Sequence, residues 1–134
     1  VIPSSNSIMA NNLFKLSHYY DNSDYLDTSH SMVKNIIDQI EVYPSGFSNW
    51  LNLILNFKNN FYEVAIVGEK AIEKINELNN NYLPNKIVIG SLEENSLPLL
   101  KNRYIEGETL IYVCVKKACK MPVNTVEEAL ELMN

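Results

Sequence analysis

The chain has 134 residues, of which 46% are hydrophobic and 20% are charged, a composition typical of one globular domain and not of a disordered segment. Its net charge of −5 disfavours binding to the phosphate backbone, so we expect no nucleic-acid partner. The longest apolar runs, at 53–55 and 64–67, are too short to cross a bilayer, so we expect no membrane partner either.

The amino-terminal residues carry no secretory signal with a basic and an apolar region, which predicts a cytoplasmic protein. The chain opens with Val1 and not with Met, and its first residues look like the approach to a helix. We therefore expect that residues are missing upstream and that this chain is the end of a longer protein.

Helical periodicity dominates residues 1–58. The polar residues that follow Pro3 can cap a first helix, whose apolar residues recur at intervals of three and four: Ile8, Met9, Leu13, Leu16 and Tyr20. After a short polar break, a second helix is predicted from Tyr25 to Ile40, so the two should form an antiparallel hairpin. Ser45 can cap a third helix over 50–57. Three amphipathic helices in a row favour a layered helical array, because each needs more than one neighbour.

From residue 59 the pattern changes to that of short buried strands. The segments 62–68 and 86–90 are apolar and end in glycine, and the stretch between them has helical spacing. This order predicts a βαβ unit. Residues 110–115 form a third predicted strand, and the segment 124–127 predicts a capping box that opens a final helix.

The predicted fold class is therefore mixed α and β. A helical hairpin segment occupies residues 1–58, and a small α/β layer of the order βαβ-β-α occupies residues 59–134. No linker of biased composition separates them, so we expect the two parts to share one core.

Cys114 and Cys119 are the chain's most reactive pair of side chains, one near the end of the third strand and one in the loop behind it. They are separated by four residues, which is not the Cys-x-x-Cys spacing of thiol oxidoreductases, and the loop permits a disulfide without requiring one. Without a secretory signal, structural or idle thiols are the first interpretation. A redox-responsive pair is the second, because three nearby lysines would favour thiolates: Lys116, Lys117 and Lys120.

Other patterns point away from metal, nucleotide and carboxylate chemistry. A zinc site at the cysteines would need two more ligands, and His18 and His30 lie on early helices, so we expect neither a metal nor a cofactor. The turn at Gly68 has one glycine where a phosphate loop needs several. No spacing selects a glycosidase-like pair among five acidic residues, which we expect to be exposed: Glu41, Glu63, Glu69, Glu106 and Glu108.

The polar segments that precede two helices have two possible roles. Ser5, Asn6 and Ser45 are first interpreted as capping residues. The alternative is that they line the central cavity of a helical toroid, where a small ligand such as a sugar could bind.

Six segments stand out in order along the chain: 3–7, 24–26, 43–45, 63–68, 83–86 and 112–123. Together they resemble the carboxy-terminal part of the thioredoxin-like, six-hairpin-glycosidase-like family. That family includes bacterial YyaL-type proteins and an animal spermatogenesis-associated thioredoxin-like protein. Ser5 departs from the glycine usual in the family, and Lys117 from a common aromatic residue.

The resemblance implies that the helices are the last hairpins of an (α/α) barrel. It also implies two partners within the same protein, the missing upstream barrel and a thioredoxin-like domain. The resemblance does not imply a substrate, since folds of this kind host many activities.

Three functions remain open on this sequence. The chain could be a structural portion of a thioredoxin-domain-containing protein, without activity alone. It could be a redox-linked module that uses Cys114 and Cys119. It could be part of a sugar-binding or sugar-processing barrel of the epimerase or glycosidase type.

Overall fold

The computed structural model describes residues 2–133, and the chain divides into two compact units, Val1–Asn59 and Asn60–Asn134. The division lies one residue from the position where the periodicity changes. The structure contains helices and a mixed sheet, which confirms the fold class at that level. The (α/α) barrel and the shared core stay predictions.

The described part of the first unit consists of helices joined by short turns. Its elements are α1 (Ser5–Tyr20), α2 (Ser23–Lys34), α3 (Ile37–Val42), a 3-10 turn (Pro44–Phe47) and α4 (Ser48–Lys58). Helices α1 and α2 pack against each other across a two-residue connection, which confirms the predicted helical hairpin.

Side chains that accept backbone N–H groups set the starts of the first two helices. Ser4 accepts the N–H of Ser7 at the start of α1, and Asn22 accepts that of Tyr25 at the start of α2. Each bond satisfies one of the donors that a helix leaves unpaired at its first turn.

Two helix boundaries differ from the prediction. The second helix does not run on to Ile40, because the N–H of Ile36 bonds to Val33, three residues back, and the tightened turn ends α2. Ser45 does not cap α4, which has no side-chain cap. Pro44 begins a 3-10 turn with a φ already suited to a helix, so the chain is helical before it reaches Ser45.

The buried side of α1 is made of three small residues and one phenylalanine. Ser7, Ala10, Phe14 and Ser17 are its buried positions. The hydroxyl of the fully buried Ser29 on α2 donates to the carbonyl oxygen of Ala10 at 2.8 Å. This contact holds α1 and α2 close together. The large apolar residues whose spacing predicts α1 then lie on the other sides of that helix.

The second unit is a four-stranded sheet with two helices. Its elements are β1 (Tyr62–Val67), α5 (Ala71–Asn79), β2 (Lys86–Ser91), β3 (Leu110–Val115), β4 (Ala118–Cys119) and α6 (Val126–Glu131). The strand order is β2-β1-β3-β4, with β1 parallel to β2 and antiparallel to β3, and with β3 antiparallel to β4. The predicted βαβ unit and third strand are confirmed, whereas β4 was expected to be loop.

One face of this sheet forms a core with the helices. The buried cluster is Tyr62, Val64, Ile66, Ala71, Leu78, Ile111, Val113, Val126, Ala129 and Met133. Because side chains alternate along a strand, the residues between these on β1 and β3 lie on the opposite face. Glu63, Tyr112 and Cys114 are three of them.

Helix α6 begins with a capping box, one residue later than predicted. The hydroxyl of Thr125 accepts the N–H of Glu128 at 3.3 Å, and the Glu128 carboxylate accepts the N–H groups of Thr125 and Asn124. The predicted pairing of Asn124 with Glu127 is wrong, because the threonine hydroxyl and the reciprocal glutamate fit one residue further on. None of the described helices is long and apolar enough to span a bilayer.

Candidate functional site

The two cysteines lie at the base of a tight hairpin. Lys116 and Lys117 form its two-residue loop with φ angles of 50° and 67°, the left-handed values that a type I′ turn requires at both positions. This turn reverses the chain so that Cys114 of β3 and Cys119 of β4 face each other, with their Cα atoms 3.9 Å apart.

A disulfide joins Cys114 to Cys119. The next pair along the ladder is hydrogen-bonded through the N–H of Lys120 and the carbonyl of Val113, at 3.0 Å. The cysteines therefore occupy a non-hydrogen-bonded pair, the position at which antiparallel strands approach most closely. The interpretation as free thiols is not what the structure shows, and the difference comes from the turn, which places the two sulfurs side by side.

The two ends of this disulfide differ in their access to solvent. Cys114 is 1% exposed, whereas Cys119 is exposed on β4, the last strand in the sheet order. A reagent from solution can therefore reach the sulfur of Cys119 more readily than that of Cys114.

Arg103 lies against both sulfurs. Its Nη1 is 3.5 Å from the Cys114 Sγ, and its Nη2 is 3.3 Å from the Cys119 Sγ. The guanidinium also lies over the Tyr112 ring, 5.0 Å from its centroid, a cation–π geometry. The Tyr112 hydroxyl donates to the Arg103 carbonyl oxygen at 3.0 Å, so the side chain and the backbone of this arginine are both held.

Burial shifts the pKa values of both Arg103 and Tyr112. It lowers the pKa of the Arg103 guanidinium, and the nearby Tyr112 and Glu63 oppose that change. Burial raises the pKa of the Tyr112 phenol, which Arg103 opposes. A partly desolvated cation thus sits beside the disulfide.

Glu63 completes the cluster from β1. It is 3% exposed and is the register partner of Cys114, and its Oε2 accepts the N–H of Lys117 at 3.1 Å. The expectation that this carboxylate is exposed is wrong. The strand carries it onto a covered face, and the hairpin loop supplies a backbone donor for it.

The sequence alone did not single out Arg103, Tyr112 or Glu63. Strand alternation was a usable signal for Tyr112, which precedes Cys114 by two residues and shares its face. For Arg103 the only signal was that it is the chain's single arginine, within a polar connection of undefined conformation.

The polar starts of α1 and α4 meet at one cavity, although Ser5, Asn6 and Ser45 do not line it. Ser5, Asn6 and Ser45 are exposed. A cavity of about 280 Å³ lies beside them in the first unit, and neighbours such as Ser4, Ser7, Asn49 and Trp50 line it. The Asn49 amide there donates to the Ser7 hydroxyl at 2.9 Å. The sugar-binding role of Ser5, Asn6 and Ser45 stays a prediction.

The two histidines lie among aromatic rings. His18 contacts Phe14 with ring centroids 4.7 Å apart, and His30 contacts Phe57 at 5.2 Å. Within residues 2–133 no three histidine, cysteine or acidic side chains gather in a way that could hold a metal ion.

Comparison with known proteins finds relatives of low sequence identity. The chain is similar to spermatogenesis-associated protein 20 of Homo sapiens and of Rattus norvegicus, at 23% identity in an alignment 143 positions long in each case. It is also similar to an uncharacterized protein of Caenorhabditis elegans, at 22% identity over 140 residues.

These alignments cover 98% of this chain, but only 18% of the human and rat proteins and 19% of the nematode protein. The chain thus spans less than a fifth of the length of the relatives it matches. No protein-family model matches the chain, and no solved structure does. The similarity is consistent with the family that the motifs suggested.

Proposed function

We propose that this chain is a structural portion of a longer protein, without activity of its own, and that α1 presents the surface that the rest of that protein covers. The observation that carries the proposal is the exposed apolar side of α1. Ile8 is 45% exposed, Met9 53%, Leu16 38% and Tyr20 53%.

These four side chains belong to the five whose spacing predicts the helix, and the fifth, Leu13, is half-buried. The fully buried positions of α1 are other residues, three of them small. A single exposed apolar residue needs no explanation, but four on one helix of 16 residues are a candidate interaction surface. We name Ile8, Met9, Leu16 and Tyr20 the α1 apolar surface. Completing its burial is worth roughly 1 kcal/mol for each half-exposed side chain.

The length of the relatives supports a covering segment from the same protein. A chain that aligns with 18% of its relatives leaves more than four fifths of their sequence to supply such a segment. The resemblance to six-hairpin glycosidases supports upstream helices of an (α/α) barrel as the occupant. In this proposal any sugar-processing reaction belongs to the complete barrel, and the thioredoxin-like domain lies elsewhere in the same protein.

The test is to measure binding between this chain and the remainder of the full-length protein, expressed as a separate polypeptide. The variant I8E/L16E places two carboxylates on the α1 apolar surface, and we expect it to lower affinity at least about tenfold, since each buried charge costs more than 1 kcal/mol. The matched control, I72E/M121E, alters two side chains of the other unit that are 62% and 82% exposed.

Equal affinity of I8E/L16E and the control variant would contradict the proposal. Circular dichroism of both variants establishes that each has kept its fold. The isolated wild-type chain should also bind an apolar dye, and I8E/L16E should bind less of it. Dye binding that is unchanged between the two would count against α1 as the exposed surface.

A further inference from the structure

We propose that the hairpin disulfide is a site of thiol–disulfide exchange, in which Cys119 is the sulfur attacked, Cys114 is the leaving thiolate and Arg103 stabilises that thiolate. The electron donor is a compound or protein that carries two neighbouring thiols. The inference rests on the geometry of the hairpin and stands independently of the proposed function.

The direction of attack follows from exposure and from the geometry of the reaction. A thiolate attacks one sulfur in line with the S–S bond and expels the other sulfur. Because Cys119 is exposed and Cys114 is 1% exposed, an incoming thiolate meets the Cys119 Sγ and expels the Cys114 Sγ. The buried sulfur therefore has to bear the negative charge.

Arg103 is placed to respond to that charge. In the disulfide its N–H groups, at 3.5 and 3.3 Å from the two sulfurs, meet only weak neutral acceptors. When the bond breaks, the same contact becomes a charge-assisted hydrogen bond between a guanidinium and a thiolate. An interaction that strengthens as the charge develops accelerates the step, and a thiol of lower pKa is the better leaving group.

The cation is held in place by its neighbours. The Tyr112 ring and hydroxyl fix the guanidinium and the backbone of Arg103. Glu63 is the opposing charge on this face and acts on the Arg103 guanidinium, and its Oε2 also accepts the N–H of Lys117 in the hairpin loop. The Lys120 ammonium donates to the carbonyl of Leu132 at 2.6 Å, so it is engaged at the end of α6.

The exchange balances as a two-electron transfer. One thiolate of the donor forms a bond to the Cys119 Sγ, the S–S bond breaks, and its electron pair leaves on the Cys114 Sγ. The second donor thiolate then attacks the donor sulfur that is bonded to Cys119 and releases the Cys119 thiolate. The donor is oxidised to a disulfide, and the hairpin gains two thiols together with the two protons that the donor lost.

Kinetics of reduction by dithiothreitol, followed by acid quenching and intact mass, test the role of Arg103. We expect R103Q to be reduced about three- to tenfold more slowly than wild type, because the leaving thiolate loses its cation. The matched control is K101Q, which removes one positive charge from an exposed position in the same connection. R103K, which keeps a cation, should recover part of the rate. Equal rates for R103Q and K101Q would overturn the proposal.

Two further measurements separate chemistry from a merely structural effect. With glutathione as a single-thiol probe and alkylation as the trap, peptide mapping should place the glutathione adduct on Cys119 and the alkyl group on Cys114. The reverse assignment would overturn the proposed direction of attack.

In the single-thiol variant C119S, the ultraviolet absorbance of the thiolate reports the pKa of Cys114. Adding R103Q should raise that pKa by about one unit. An unchanged titration, in a variant that is folded by circular dichroism, would show that Arg103 only packs against the hairpin.

Discussion

Gly68 and Gly107 both have positive φ angles, yet their surroundings differ completely. At Gly68 φ is 129°, and an added Cβ would lie 2.1 Å from the carbonyl oxygen of Glu108 and 2.6 Å from the Thr109 hydroxyl. At Gly107 φ is 79°, and an added Cβ would meet no atom within 4 Å. Glycine is therefore required at position 68 for two reasons: a Cβ would clash with its neighbours, and φ is positive.

Substitution by alanine should separate these two requirements. We expect G68A to lose about 3–5 kcal/mol of unfolding free energy, because it adds a backbone clash to a strained φ, and G107A to lose about 1 kcal/mol from strain alone. Urea unfolding of both variants measures the difference. Losses within about 1 kcal/mol of each other would show that the turn after β1 can relax around a side chain.

At the scale of the element, local signals located the helices and strands better than they located their ends. Helix α6 shows why, since Asn124 and Thr125 are both suitable N-cap residues and only one adopts the capping geometry. The hydrogen bonds place the cap at Thr125, whose hydroxyl accepts the N–H of Glu128.

Two alanine variants test that assignment. T125A should lower the unfolding free energy by about 0.5–2 kcal/mol, because it removes the acceptor for a helix N–H group. N124A should change it by less than about 0.5 kcal/mol, because the box uses only the backbone N–H of Asn124. Thermal unfolding of the two variants measures the difference. A larger loss of unfolding free energy for N124A than for T125A would show that Asn124 is the N-cap.

Alkaline pH should lower the stability of the whole molecule, and the half-buried Tyr112 is one cause. Burial raises the pKa of its phenol, so the folded state holds the proton more tightly than the unfolded state does. The stability that this contributes is fully present below the unfolded pKa, near pH 10, and is lost as the pH rises through the folded pKa.

The comparison with Y112F isolates this effect. The difference in unfolding free energy between wild type and Y112F should be constant from about pH 7 to 9 and should shrink above about pH 10. Burial also lowers the pKa of Lys86, which has the opposite sign, but both proteins carry that lysine and its effect cancels. Urea unfolding at a series of pH values measures the difference, and a difference that stays constant to pH 11 would contradict the prediction.

Local patterns in the amino-acid sequence were enough to predict the βαβ unit, the third strand and the hairpin of α1 and α2, but not β4. These depend on periodicity, caps and turn residues, which are properties of short stretches of chain. The same local information placed Cys114 at a strand end and Cys119 close behind it, and it left their bonding open.

Which faces are covered and which side chains meet depended on how the folded chain packs. The spacing of Ile8 and Leu16 marks a helix equally well whether that side is buried or exposed, and here the packing of Ala10 against Ser29 buries the other side. Glu63 and Arg103 reach the disulfide from a neighbouring strand and from an irregular connection. The path of such segments depends on contacts between parts of the chain that are separate in sequence, which no local pattern records.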